Sequence, residues 1–242
     1  MIGVFDSGVG GLSSLRVLRT LAPQADLCYF ADAANLPYGE KTPPELLSLS
    51  RAAIDRLLAR GATAILAACG TVSSTALPAL ARECRVPLFG ILDPLAAACA
   101  RAQEKTGGAI LVLGTRATVR AGVLTAKIRA FATHAPLLTL PCPDFVALAE
   151  ELEHLPRVIA RETVFRTLAP VLGQKIGTVA LGCTHFSRLS PLIGELLPHA
   201  AVVDGAAEAA HAMYRSLPHT EWEGAGTLTL ETSGATPLHL DL

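Results

Sequence analysis

Residues 64–71 read Ala64-Ile65-Leu66-Ala67-Ala68-Cys69-Gly70-Thr71, an apolar run that ends in a cysteine closely followed by a threonine. The same pattern returns as Val179-Ala180-Leu181-Gly182-Cys183-Thr184-His185. Short apolar runs bounded by turn residues are typical of buried parallel strands. Each thiol is then expected at the carboxyl end of its strand, where open α/β sheets place their ligand sites. We therefore expect the two sulfurs to face each other across one small substrate.

The composition provides ample core material and little net charge. The chain has 242 residues, 51% of them hydrophobic, with 20 basic and 21 acidic residues. A net charge of -1 gives no electrostatic case for nucleic acid or an acidic membrane surface. The first residues lack the basic start and long apolar middle of a signal peptide, and Gly70 and Pro78 interrupt the longest uncharged stretch, residues 62–81. We expect a cytoplasmic protein that does not span a membrane.

The six cysteines are expected to be free thiols, and neither a cofactor nor a metal is expected. The chain is long and has no closely spaced cysteine pairs, so a disulfide framework is disfavoured and no zinc pattern is present. The glycine-rich turn Asp6-Ser7-Gly8-Val9-Gly10-Gly11 does not match the dinucleotide fingerprint. Asp6 would also repel a pyrophosphate, so this turn favours a small carboxylate substrate over a nucleotide.

Strand and helix patterns alternate along the chain and predict a doubly wound α/β fold. The order restarts after residue 93: the turn at Asp6 has a counterpart at Gly114, and Cys69 has one at Cys183. We expect two similar α/β domains related by a pseudo-two-fold axis. Residues 1–93 completed by 205–242 would form the first domain, and residues 94–204 the second. The alternating run 227–231 would complete the first sheet.

Several local signals set expected boundaries. Thr42-Pro43-Pro44-Glu45 is a capping box that begins a helix, and Gly61 ends it. One helix is expected after Cys69, a strand over 86–91 closed by Asp93-Pro94, and a helix over 145–155. The segment Glu221-Trp222-Glu223 is expected to be a surface loop.

Two opposed thiols suit proton transfer at the α-carbon of an amino acid. One thiolate removes the α-proton from one face while the other thiol delivers a proton to the opposite face, which inverts the centre. His185 could hold or exchange a proton for Cys183. Asp6 could do so for Cys69 if the first strand lies beside the Cys69 strand. The charge that develops on the substrate carboxylate needs hydroxyl and N–H donors, and the candidates are Ser7, Thr71, Thr115, Thr118, Thr184 and the backbone at Tyr38-Gly39.

Five segments and the C-terminal Thr232-Ser233-Gly234 carry a resemblance that spans nearly the whole chain. The segments are residues 3–12, Pro37-Tyr38-Gly39-Glu40-Lys41, Ala68-Cys69-Gly70-Thr71, Cys142-Pro143-Asp144-Phe145-Val146 and Leu181-Gly182-Cys183-Thr184-His185. In their sequence and order the chain resembles the bacterial glutamate racemases of the cofactor-independent aspartate/glutamate racemase superfamily.

The resemblance implies a site in the cleft between two α/β domains, with Cys69 and Cys183 as the acid/base thiols and Asp6 and His185 as auxiliary residues. It also implies glutamate as substrate, a role in supplying D-glutamate for peptidoglycan, and a homodimer. The expected substrate contacts are Asp6, Ser7, Pro37, Tyr38, Gly39, Gly70, Thr71, Thr115, Thr118, Glu150, Thr184 and His185.

Gly70 departs from the family pattern, which usually has asparagine after the first cysteine. Glycine removes a side-chain donor, and we expect a wetter and roomier pocket with altered substrate choice or turnover. Three alternatives follow from the residues. They are a racemase of another amino acid such as aspartate, a binding or regulatory protein that kept the fold, and a hydrolase that uses a Cys–His pair and needs no second thiol.

Overall fold

The computed structural model describes residues 1–235, which contain two parallel β-sheets with helices on their faces. Within these residues the strands are β1 (Ile2–Asp6), β2 (Leu27–Ala31), β3 (Ala64–Ala67), β4 (Leu88–Gly90), β5 (Ala109–Gly114), β6 (Leu137–Pro141), β7 (Ile176–Leu181), β8 (Ala201–Asp204) and β9 (Leu228–Thr232). The first sheet has the order β4-β3-β1-β2-β9 and the second has the order β6-β5-β7-β8. The α/β fold expected from the alternating pattern is confirmed.

The two sheets share one topology. Strands β1, β2, β3 and β4 of the first sheet correspond to β5, β6, β7 and β8 of the second, in the same spatial order. This correspondence makes β3 and β7, the strands that lead to the two cysteines, topologically equivalent. β3 pairs with β1, which places Cys69 on the strand beside the one that ends at Asp6. The division of the chain at residues 93 and 204 remains a prediction.

The helices connect the strands and cover the sheets. They are α1 (Leu12–Leu21), α2 (Pro43–Ala59), α3 (Gly70–Thr75), α4 (Leu77–Glu83), α5 (Leu92–Thr106), α6 (Arg116–Ala121), α7 (Val123–Phe131), α8 (Asp144–Glu150), α9 (Arg157–Leu168), α10 (Ser190–Leu196) and α11 (Gly205–Ser216). The capping box at Thr42 and Glu45 is present at the start of α2, and Gly61 follows its end with a positive φ of 88°. That conformation is unstrained only for glycine.

Alternation along the strands divides the core into a central layer and two outer layers. Leu66 on β3 and Val112 on β5 belong to the central layer between the two sheets, together with residues of α1, α5 and α11. Their neighbours Ile65 and Leu111 face outward into separate clusters. Cys69 continues the outer face of the first sheet, and Cys183 continues the outer face of the second.

Four expected boundaries are corrected by the structure. The helix after Cys69 is two helices, α3 and α4, with Pro78 in the first turn of the second, where a missing N–H costs nothing. Asp93-Pro94 does not close a strand, because it lies in the first turn of α5. The helix expected over 145–155 ends at Glu150.

The fourth correction concerns Trp222. The charged residues on either side suggested a surface loop, but the Trp222 side chain is 4% exposed in the central core. Its ring lies against Tyr214 of α11 with a centroid separation of 5.1 Å. Beyond it, β9 pairs in parallel with β2, so the chain end completes the first sheet as expected. Among the described residues, no helix is both long and apolar enough to cross a membrane.

Candidate active site

Asp6 ends β1 as a fully buried carboxylate. It accepts hydrogen bonds from the backbone N–H of Ser7 at 2.7 Å, from the backbone N–H of Gly11 at 2.6 Å and from the hydroxyl of Thr184 at 3.0 Å. Burial raises the pKa of Asp6, while the positive charge of His185 and these hydrogen bonds oppose that rise. Thr184 follows β7, so this carboxylate joins the two sheets.

Cys69 is buried directly before α3, one strand away from Asp6. Burial raises the pKa of its thiol well above the ordinary value, and the negative charges at Asp6 and Cys183 raise it further. The backbone N–H groups of Val72 and Thr71 act in the opposite direction and are too weak to reverse the shift. The raised pKa of Cys69 therefore favours its protonated form.

Cys183 lies at the equivalent position of the second sheet, and its neighbour is a histidine. The Sγ of Cys183 is 3.9 Å from Nδ1 of His185, and Nε2 of His185 is 2.6 Å from Oε1 of Glu150. Burial lowers the pKa of His185, but the hydrogen bonds to Cys183 and Glu150 and the nearby negative charges outweigh it and raise this pKa well above the usual value. His185 is thus an imidazolium beside the sulfur. A short 3₁₀ helix, Thr184–Leu189, follows Cys183 and leads into α10.

Glu150 is the last residue of α8 and contacts both halves of the molecule. Besides His185, its Oε1 accepts a hydrogen bond from the backbone N–H of Val9 in the glycine-rich turn, at 3.2 Å. Burial raises the pKa of Glu150, yet the hydrogen bond and charge of His185 lower it on balance. A β-carbon on Gly8 would come within 2.5 Å of this oxygen, so the close approach of the turn depends on glycine.

Three of the expected hydroxyl donors form a chain across the two sheets. The hydroxyls of Thr71 and Thr115 are 3.1 Å apart, and those of Thr115 and Thr118 are 3.0 Å apart. Thr71 begins α3 after Cys69, whereas Thr115 caps α6 after β5. All three side chains are at most 5% exposed.

Gly70 contradicts the expectation of a wetter and roomier pocket. A β-carbon at this position would lie 1.8 Å from the carbonyl oxygen of Gly182 and 3.4 Å from Cα of Cys183. The ends of β3 and β7 therefore lie against each other, and no space exists there for an asparagine side chain. The nearby cavity, lined by Pro37, Gly39, Glu40, Thr115, Arg116, Pro143 and Val146, has a volume of only about 30 Å³.

This volume accommodates roughly one water molecule, and both thiols are buried, so the site is closed to an amino acid in this structure. Larger cavities, of about 650 and 660 Å³, lie elsewhere on the surface, one of them between α2 and α4.

The other residues predicted to contact the substrate differ in their position relative to this small cavity. Ser7 is buried, with its hydroxyl 3.4 Å from Asp6, and Pro37 and Gly39 line the small cavity. The Tyr38 side chain is buried and its hydroxyl donates a hydrogen bond to Asp32 at 2.6 Å, and Tyr38 does not line this cavity.

Two buried residues near the site were not predicted as site residues. Asp32 directly follows β2 and Asp6 is the last residue of β1, and this placement at a strand end was the signal that could have identified Asp32. Tyr29 donates a hydrogen bond from its hydroxyl to the carbonyl of Gly8 at 2.6 Å and so supports the glycine-rich turn. Nothing in the local sequence around Tyr29 indicates that contact. The six cysteines are free, and no metal-binding group of three His, Cys, Asp or Glu side chains occurs within residues 1–235.

Comparison with known proteins identifies the family. The family model described as Asp/Glu/Hydantoin racemase matches residues 14–213. The chain belongs to this racemase family. Membership confirms the resemblance and places the chain among the amino-acid racemases, which are isomerases.

Curated relatives and solved structures of this racemase family cover most of the chain. The glutamate racemase of Thermus thermophilus is 39% identical over 240 residues, covering 99% of this chain and 86% of the relative, and that of Gloeobacter violaceus is 38% identical over 219 residues, covering 90% and 81%. A crystal structure of Thermus thermophilus glutamate racemase in complex with β-chloro-D-alanine has a TM-score of 0.80 at 35% identity, covering 96% of this chain and 87% of its own.

Proposed function

We propose that the protein interconverts L- and D-glutamate by proton transfer between Cys69 and Cys183, without a cofactor. The observation that supports this most is the equivalence of the two thiols. Each follows the matching strand of one of two sheets with the same topology, and each has a titratable neighbour, Asp6 on one side and His185 on the other. Relatives named glutamate racemase supply the choice of substrate.

The two directions of the reaction begin with the two sulfurs in opposite protonation states. In one direction the thiolate of Cys183 removes the α-proton, and the thiol of Cys69 delivers its proton to the opposite face of the α-carbon. The electron pair left by the first transfer passes through the substrate carboxylate and forms the new C–H bond, so protons and charge balance. In the reverse direction the roles exchange.

The surroundings of the two thiols differ. The raised pKa of Cys69 favours its protonated form, and a positive charge on His185 would stabilise a thiolate at Cys183 when one forms. Glu150 accepts the second ring N–H and keeps His185 oriented with Nδ1 toward that sulfur. After turnover Cys69 carries the negative charge, and Asp6 is the group placed to take or return a proton there.

Hydroxyl and backbone donors must stabilise the charge that develops on the substrate carboxylate. Thr71, Thr115 and Thr118 bond to one another, and Thr184 bonds to Asp6. When the sheets separate, these hydroxyls are freed on both sides of the cleft. A bound carboxylate can then replace the interaction between Thr71 and Thr115, in a site from which water is excluded.

The test is circular dichroism of L- and D-glutamate, and separately of L- and D-aspartate, with wild-type protein, Cys69→Ser and Cys183→Ser. Each substitution is expected to lower glutamate racemisation about 10²- to 10⁴-fold, the usual contribution of a general acid or base. Cys84→Ser is the matched control, because Cys84 is half-buried at the end of α4 and remote from the site. Glutamate racemisation at the wild-type rate in Cys69→Ser or in Cys183→Ser would contradict the two-thiol mechanism.

The same assay separates the alternatives. Faster turnover of aspartate than of glutamate would identify a racemase of the other amino acid. If wild-type protein changes the circular dichroism of neither glutamate nor aspartate, the result would favour a binding or regulatory protein. A Cys–His hydrolase would depend on Cys183 and His185 and tolerate Cys69→Ser. The wider proposals, a homodimer in the cytoplasm that supplies D-glutamate for peptidoglycan, require light scattering and a D-glutamate auxotroph.

A further inference from the structure

The C-terminal end of the described chain reaches a buried carboxylate behind the site. The backbone N–H of Ser233 donates to the carbonyl of Ala31 at 3.0 Å, which extends the pairing of β9 with β2 by one residue. This places the Ser233 hydroxyl 2.6 Å from Oδ1 of Asp32, to which it donates. The same hydroxyl accepts a hydrogen bond from the backbone N–H of Ala34 at 3.1 Å. Ser233 thus binds both ends of the turn that follows β2.

Asp32 accepts hydrogen bonds from three side chains, two close to it in the sequence and one, that of Ser233, 201 residues away. Besides Ser233, it accepts from the Tyr38 hydroxyl at 2.6 Å and from the amide of Asn35 at 2.9 and 3.0 Å. Its own backbone N–H donates to the carbonyl of Asp6 at 2.9 Å. Asp32 is 5% exposed and Tyr38 1% exposed, so water contributes little to the contact between them, whereas Ser233 reaches Asp32 from an exposed position. A buried carboxylate with this many donors has one preferred orientation.

Tyr38 connects Asp32 to the loop that contacts Thr115. The loop Pro37–Gly39 contains Tyr38, and a β-carbon on Gly39 would lie 2.9 Å from Cβ of Thr115. Thr115 is the hydroxyl that meets Thr71 across the two sheets. The Tyr38 ring is buried and its hydroxyl is hydrogen-bonded to Asp32. Tyr38 therefore fixes the position of loop 37–39 relative to Thr115.

We propose that Ser233 and Asp32 are positioning residues for the substrate-binding loop 37–39, and that the C-terminal tail thereby contributes to substrate affinity. The inference rests on the proposed function, since the affinity concerned is that for glutamate. Neither residue touches the reacting atoms. Their effect passes through the Tyr38 hydroxyl, and they are expected to change KM and leave the chemical step nearly unaltered.

The test combines kinetics with hydrogen–deuterium exchange in Ser233→Ala, Ser233→Thr and Tyr38→Phe. For Ser233→Ala and for Tyr38→Phe we expect KM to rise about three- to tenfold, the size of one hydrogen bond, with kcat within about twofold of wild type. Ser233→Thr keeps the hydroxyl and should restore KM. Since both single changes act through Asp32, the double variant should raise KM by less than the product of the two effects.

Ser216→Ala is the matched control, because that hydroxyl bonds only to the carbonyl of Ala212 at the exposed end of α11. It should alter neither KM nor exchange. In Ser233→Ala, exchange of amides in residues 33–41 should accelerate while α11 remains as in wild type.

Unchanged exchange in residues 33–41, or faster exchange with unaltered KM, would overturn the proposal, as would a lower kcat at constant KM. A purely structural role predicts a lower Tm without a change in KM and without rescue by Ser233→Thr. Failure of the proposed function is recognised separately: wild-type protein would then racemise no amino acid, and the exchange experiment alone would decide whether Ser233 orders the loop.

Discussion

Gly70, the first residue of α3, lies against the backbone carbonyl of Gly182, the residue after β7, where a β-carbon would approach that oxygen to 1.8 Å. The oxygen is a backbone atom and the backbone fixes the position of a β-carbon, so no side-chain rotation can relieve the contact. Two glycines, one beside each cysteine, therefore permit this close approach of the two sheets. Any side chain at position 70 must hold the sheets farther apart.

Gly70→Ala is expected to lower glutamate kcat/KM about tenfold or more and to destabilise the fold by about 1–3 kcal/mol, the usual cost of overpacking. Gly70→Asn, which would restore the common family residue, should be at least as harmful, because its side chain is larger. Racemisation assays and urea unfolding measure both quantities.

Gly194→Ala provides the matched control for this prediction. A β-carbon at Gly194 in α10 has no neighbouring atom within 4 Å, so this change should be neutral or stabilise by about 0.5–1 kcal/mol. Improved turnover of Gly70→Asn would show that the close contact with Gly182 is not present in the working enzyme.

The hydroxyl pair Thr71–Thr115 links the two sheets at 3.1 Å. Thr71→Val keeps the shape but leaves the Thr115 hydroxyl without this partner, so KM for glutamate should rise roughly tenfold. Thr71→Ser keeps the hydroxyl and should stay within about threefold of wild type. Equal KM values for the valine and serine variants would remove this hydroxyl from the list of substrate contacts.

His185 should make stability depend on pH in a defined direction. Its folded pKa lies above its unfolded value, so its contribution to the free energy of unfolding is complete below about pH 6.5 and is lost as pH rises through the folded pKa. Urea unfolding from pH 5 upward should therefore show a difference between wild type and His185→Gln that shrinks as the pH increases.

Glu150 should make stability depend on pH in the acidic range. Its folded pKa is lowered, so its contribution is present above about pH 4.5 and is lost as pH falls through the folded pKa. Glu150→Gln should therefore lose less stability on acidification than wild type. A difference for His185→Gln that grows with pH would contradict an imidazolium at this position.

Trp222 should be important for stability despite its two acidic neighbours. Trp222→Ala is expected to cost about 3–5 kcal/mol, since it empties a buried site against Tyr214. Among residues 1–235 the indole N–H finds no hydrogen-bond partner, so Trp222→Phe should cost clearly less than the alanine variant. Thermal unfolding of both variants tests this, and a small effect of Trp222→Ala would support the surface loop expected from the sequence.

Much of the fold could be predicted because its signals are local. Apolar runs that end in turn residues indicated the strands that carry Asp6, Cys69 and Cys183, and the capping box at Thr42 indicated the start of α2. The strand-end rule then brought the thiols to one edge of each sheet. Boundaries after Cys69 and near Glu150 were wrong, because prolines and short helices there leave a weak periodic pattern.

Local periodicity and turn chemistry were sufficient for the α/β class and for the strands that lead to the two cysteines, because each of these depends on residues close together in the chain. The contact of Gly70 with Gly182, the burial of Trp222 and the hydrogen bonds from Ser233 and Tyr38 to Asp32 depended on the tertiary structure. The contacts of Gly70 with Gly182 and of Ser233 with Asp32 join residues separated by more than a hundred positions, and a single sequence carries no local signal for them. The packing between the two sheets decides how closely they approach each other. It therefore also decides how much space the site contains.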